Sequence, residues 1–182
     1  WLRAHAAEYN LDHSRFGVWG TSAGGHLVAL AATSGNAPQL EGDVGGNLAF
    51  WSGVQAGADY FGPTDIINMN LDVSTPPGSA INHDAWNSPE SRLIGFDQPD
   101  QGIGVLRANL ANPAPPFPFY AALAAQVNPI TWVDPNDPPL FIGHGDSDTS
   151  VPWRQSLRLH NALDAAGVFN DFRIIPGAGH GN

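Results

Sequence analysis

The chain contains no cysteine and no lysine, and no apolar run in it approaches the roughly 18 residues that cross a bilayer as a helix. Without cysteine there is no disulfide, no thiol nucleophile and no cysteine-based zinc site, and the redox state of the compartment is left open. Seven arginines stand against 17 acidic residues, for a formal net charge of −10. A surface of that sign repels phosphate backbones and anionic lipid, which argues against nucleic acid and against polybasic membrane docking. Charged residues make only 13% of the 182 and apolar ones 42%, the composition of one globular domain with a real core rather than of a disordered segment. Neither compartment nor oligomeric state is written in these numbers.

What is present is an alternation of strand-like and helix-like segments. Residues 1–9 are helical by composition. Arg15-Phe-Gly-Val-Trp is a β-prone run ending at Gly20, and Ala23 to Thr33 suits a buried helix that stops before Ser34-Gly35-Asn36. Residues 36–47 read as a Gly-rich loop, and Gly53 to Phe61 as a strand punctuated by Gly62-Pro63-Thr64-Asp65. Residues 70–118 carry most of the prolines. They suggest a short helix at Pro89 to Leu93, another from about Gly104 to Leu110, and either a lid over a pocket or a surface excursion beside the sheet. Pro139-Leu-Phe-Ile-Gly is a strand, Trp153 to Ala166 a helix closed by Gly167, and Phe172-Arg-Ile-Ile a last strand. Strands alternating with helices predict an α/β fold with a mostly parallel sheet, and no repeat of solenoid or propeller period is present.

The strongest chemical signal is Gly20-Thr21-Ser22-Ala23-Gly24, a G-x-S-x-G match between a predicted strand and a predicted helix. A sharp strand-to-helix turn forces the serine into a strained conformation, which small neighbours permit, and sets it at a helix N-terminus. There the Ala23 N–H could meet a developing negative charge. An ordinary Gly-rich turn also fits the motif alone; the flanking strand and apolar helix favour the nucleophile. A serine hydroxyl needs a base oriented by an acid. His180, in Gly177-Ala-Gly-His-Gly after the last strand, is the favoured base over His26, His83, His144 and His160. His26 reads as structural, one helical turn past the serine, and His160 as a helix-surface residue. For the acid, Asp146 and Asp148 both qualify by position in the turn after strand 139–143, and either could merely cap that turn. Trp86, Trp153 and Asp65 are candidate pocket residues; core packing for the tryptophans and a helix cap for Asp65 are the plainer roles.

Gly-Thr-Ser-Ala-Gly-Gly-His-Leu at 20–27, Asp-Tyr-Phe-Gly-Pro-Thr-Asp at 59–65, Ser-Pro-Glu-Ser-Arg-Leu-Ile-Gly at 88–95 and Asn128-Pro-Ile-Thr-Trp-Val follow one another along the chain. With the HG-x-x-D-x-x-VP stretch at 144–152 and Pro176-Gly-Ala-Gly-His, they resemble bacterial α/β-hydrolase carboxylesterases related to hormone-sensitive lipase and to feruloyl-esterase-like domains. The resemblance implies Asp148 as the acid, a small-molecule ester as substrate, and hydrolysis of short acyl or aromatic acyl esters without metal or organic cofactor. It also implies further oxyanion amides from an N-terminal His-Gly-Gly loop that does not precede Trp1, so the chain is expected to be a fragment of such an enzyme. Two other readings share the fold: a serine peptidase of the prolyl-oligopeptidase kind, and a non-catalytic binding module or inactive fragment.

Overall fold

The computed structural model describes residues 1–73 and 78–181. Among them, four strands form one parallel sheet in the order β1 (Gly17–Thr21), β2 (Ala56–Tyr60), β3 (Leu140–Gly145) and β4 (Asn170–Ile175). Chain order and spatial order coincide, so each connection steps to the next strand. The long ones contain helices: α1 (Ala23–Thr33), α2 (Pro38–Glu41), α3 (Met69–Asp72), α4 (Pro89–Leu93), α5 (Ile103–Ala108), α6 (Phe117–Val127) and α7 (Arg154–Ala166).

The core explains this layering. Val28, Ala29 and Ala32 of α1 and Leu159 and Leu163 of α7 meet Leu140 and Ile142 of β3 in one buried cluster. α1 and α7 therefore pack on the same face of the sheet, where alternate strand residues point inward. A second cluster gathers Ile66, Ile67, Ile94, Phe96, Ile103, Leu106 and Ala124, and Phe117 and Tyr120 pack against it. Residues 78–118 are thus tied to α6 and to the chain after β2 through their own small core, and Arg107 pairs with Asp84 in a half-buried position. The predicted lid or excursion at 70–118 includes residues 74–77, which lie outside the described residues.

Some expectations shift. Residues 2–10 form a run of turns rather than a helix, with hydrogen bonds from His5 N–H to the Trp1 carbonyl (3.1 Å) and from Glu8 N–H to the His5 carbonyl (3.0 Å) mixing two spacings. Only Ala6 of this segment belongs to the buried apolar set, and Arg3 reaches across to the His13 and Gly53 carbonyls (2.9 and 3.0 Å), so little favours a regular helix. The loop at 36–47 contains α2, with Pro38 in its first turn. α6 was hidden by the prolines around it. Pro118 sits in the helix's first turn, where no backbone N–H is needed for an internal bond.

Candidate active site

Ser22, Asp148 and His180 all follow the C-terminal ends of strands, β1, β3 and β4 respectively. Loops at that end of a parallel sheet converge, because right-handed crossovers return every strand in the same direction. Ser22 takes φ 55° and ψ −122°, a left-handed conformation that a side chain disfavours. Its N–H donates to the Tyr60 carbonyl (2.9 Å), and its own carbonyl accepts the His26 N–H (3.0 Å) to open α1. Ala23 is the first residue of α1, so its N–H belongs to the helix turn that has no internal acceptor. The two glycines of the motif differ. A Cβ on Gly20 would lie 2.5 Å from the Gly24 carbonyl oxygen, so β1 and α1 close only on glycine there. A Cβ on Gly24 would meet open space among the described residues, so of the two motif glycines only the first is required for space.

His180 spans the sheet. Three strand spacings, about 14 Å, separate β4 from β1, and the loop 176–181 crosses that distance by lying flat over β3. The Ser147 N–H donates to the Ala178 carbonyl (3.0 Å) and the Gly177 N–H to Asp146 Oδ1 (2.7 Å). Gly145 must be glycine for this, since a Cβ would sit 2.2 Å from the Ala178 carbonyl oxygen. His180 Nε2 then stands 2.8 Å from Ser22 Oγ and Nδ1 stands 2.7 Å from Asp148 Oδ2. Asp148, not Asp146, meets the imidazole; Asp146 pins the turn.

Asp148 is fully buried, which alone would push its carboxyl up. Hydrogen bonds from His144, from His180 and from the Val151 and Ser150 amides outweigh burial and hold it at about 2. The acid is therefore ionised across the neutral range, with Nδ1–H of His180 directed at it. Phe61 adds an aromatic ring 4.7 Å from the His180 ring, and takes φ 48° to do so. Strain at Ser22 and Phe61 flanks the same imidazole.

The remaining candidates fall elsewhere. His26 Nε2 is 2.7 Å from the Val127 carbonyl, and burial lowers its affinity for a proton. His160 Nδ1 is bound to Asn170 (2.6 Å), and His83 is buried beside Glu90 (3.2 Å). Asp65 is buried, accepts from Asn68 Nδ2 (2.7 Å) and lies 3.6 Å from Arg158, a network residue at the start of a turn. Trp86 and Trp153 are half-buried, each beneath an arginine, Arg92 at 4.9 Å and Arg154 at 5.2 Å. Two hollows adjoin the serine. One of about 300 Å³ is lined by Ala23, His26, Leu27, Ile66, Glu90 and Leu93; a wider one of about 810 Å³ on the other sheet face touches Thr21, Phe61, Gly179 and Gly181.

Sequence reasoning passed over Asp59, which is fully buried at the end of β2. Burial pushes its carboxyl up to about 6, against the Gly62 N–H (2.9 Å) and the nearby His144, which pull it down. A carboxyl whose folded value lies above its unfolded value of about 4 favours the folded state at low pH and loses that contribution as pH rises through 6. At about 1.4 kcal/mol per unit, the loss from this group is about 2–3 kcal/mol. Asp59→Asn is expected to remove that slope from unfolding free energies measured between pH 4 and 7. Parallel curves for the two proteins would refute it.

The fold is shared with solved structures. A truncated carbohydrate esterase from gut microbiota superimposes with TM-score 0.75 at 34% identity, over 99% of this chain and 57% of that one. A bifunctional GH43-CE protein of Bacteroides eggerthii gives TM-score 0.77 at 35% identity, over 99% of this chain and 21% of its own. The fold is that of an α/β-hydrolase of the esterase and lipase class. The chain belongs to the BD-FAE family, whose pattern matches residues 1–163. Among characterised relatives, esterase LipQ of Mycobacterium tuberculosis is 32% identical over 99% of this chain, which spans 36% of the length of that protein.

Proposed function

We propose that Ser22, His180 and Asp148 are the nucleophile, base and acid of a carboxylesterase acting on short-chain or aromatic carboxylic esters. The observation that carries this is one continuous path: Ser22 Oγ to His180 Nε2 at 2.8 Å, and His180 Nδ1 to Asp148 Oδ2 at 2.7 Å. Esterase activity in LipQ and in the carbohydrate esterase from gut microbiota supports the reaction class.

Ser22 Oγ attacks the ester carbonyl carbon as its proton passes to His180 Nε2. Asp148 stabilises the imidazolium through Nδ1–H, and the Ala23 N–H donates to the oxyanion. His180 gives the proton to the departing alkoxide, which leaves as the alcohol. Water, deprotonated by His180, then attacks the acyl-serine, and the acid departs as Ser22 recovers its proton. The hollow of about 300 Å³ beside Ala23 is lined mainly by apolar side chains and suits a small acyl group. No metal or organic cofactor enters these steps.

Hydrolysis of 4-nitrophenyl acetate, 4-nitrophenyl butyrate and methyl ferulate, beside a proline-containing peptide anilide, tests the reading. Ester turnover that disappears in His180→Ala, with the anilide untouched, is the expected result. Cleavage of the anilide at a comparable rate would favour a peptidase instead.

A further inference from the structure

His144, near the end of β3, is wholly buried, and each of its ring nitrogens has a partner. Nδ1 lies 2.7 Å from the hydroxyl of Ser156 on α7. Nε2 lies 2.9 Å from the Val151 carbonyl and 3.2 Å from Asp148 Oδ2. Both groups facing Nε2 only accept hydrogen bonds, so Nε2 carries the hydrogen. The carboxylate oxygen it meets is the one that His180 uses at 2.7 Å. Asp148 Oδ1 accepts the Ser150 and Val151 amides at 2.8 and 2.9 Å, while Oδ2 is shared by two imidazoles.

We propose, on the reading of Ser22, His180 and Asp148 given above, that His144 is a positioning residue which holds Asp148 Oδ2 toward His180 and divides its charge with that imidazole. Two loop amides hold Oδ1. On Oδ2 the His144 Nε2–H adds an anchor beside His180, and that donor is itself fixed by its strand and by Ser156 of a helix packed on the sheet. The titratable groups facing the ring are Asp148 and, from β2, Asp59, with His180 beyond Asp148; α7 presents the uncharged Ser156. The Phe61 ring stands between both imidazoles, 6.3 Å from His144 and 4.7 Å from His180.

The test compares His144→Leu, which removes the donor, with His144→Gln, which keeps an amide N–H. Rates are expressed per active site titrated with a fluorophosphonate, so that loss of folded protein does not enter. His144→Leu is expected to lower kcat roughly 10–100-fold, the size of one charge-assisted hydrogen bond, with KM unchanged. His144→Gln is expected to restore most of that loss. Unchanged kcat in His144→Leu overturns the proposal, as does an equal loss of titratable sites in both variants with normal rates per site. If the unsubstituted protein neither labels nor hydrolyses esters, the esterase reading falls by itself. The His180 Nδ1–H proton resonance then decides on His144: it moves in the leucine variant and not in the glutamine variant, and a resonance unmoved in both overturns the role.

Discussion

Ser22→Gly is expected to be as inactive as Ser22→Ala yet more stable than it by about 1 kcal/mol. Both lack the proposed nucleophile, and loss of the nucleophile in a serine triad lowers turnover by roughly 10⁴–10⁶-fold. They differ in the backbone. The residue after β1 sits at φ 55°, ψ −122°, where a Cβ costs about 1–3 kcal/mol and glycine costs nothing sterically. The greater freedom of glycine in the unfolded chain returns about 0.5–1 kcal/mol of that gain. Denaturant unfolding of the two variants reads the difference directly. Equal stabilities would mean that the turn stores no strain, and the account of the elbow would fail with it.

Asp148→Asn should be the most damaging substitution for activity and folding together. All four groups around the carboxylate donate: Ser150 N–H, Val151 N–H, His180 Nδ1–H and His144 Nε2–H. An amide turns its one NH₂ group against them and loses the charge that holds the imidazolium. Turnover is expected to fall about 10⁴-fold. Stability should fall by about 3–5 kcal/mol at pH 7, the cost of breaking a buried charged network. The carboxyl's folded value of about 2 lies below its unfolded value of about 4. Its stabilisation is therefore complete above pH 4 and lost as pH falls toward 2, so the gap between the two proteins should narrow over that window. Unfolding curves at pH 7 and pH 3 check it; a gap independent of pH would assign the damage to packing instead.

The elbow and the helices α1 and α7 are legible because their signals are local. Ala23 to Thr33 and the helix ending at Gly167 carry short-range patterns, and Gly-x-Ser-x-Gly is a turn that five residues define. The histidine loop was legible for the same reason, as glycines around one imidazole. Asp59, Phe61 and His144 were not, because their meaning depends on register. Asp59 pairs with Ile142 across two parallel strands whose residues lie more than 80 positions apart. Only that pairing brings it near His144, and only the crossing of the loop 176–181 sets the Phe61 ring against His180. The histidine in HG-x-x-D read as one more candidate base until its nitrogens were seen on Ser156 and Asp148. Prolines misled over residues 113–118, because what breaks a helix interior also starts one.

The most direct measurement is reaction of the protein with a fluorophosphonate at neutral pH, followed by mass mapping of the labelled peptide. The account predicts a single adduct on Ser22, absent in Ser22→Ala and slowed by His180→Ala. A folded protein that takes no label, or takes it on another serine, would contradict the assignment of this serine, histidine and aspartate as one catalytic unit.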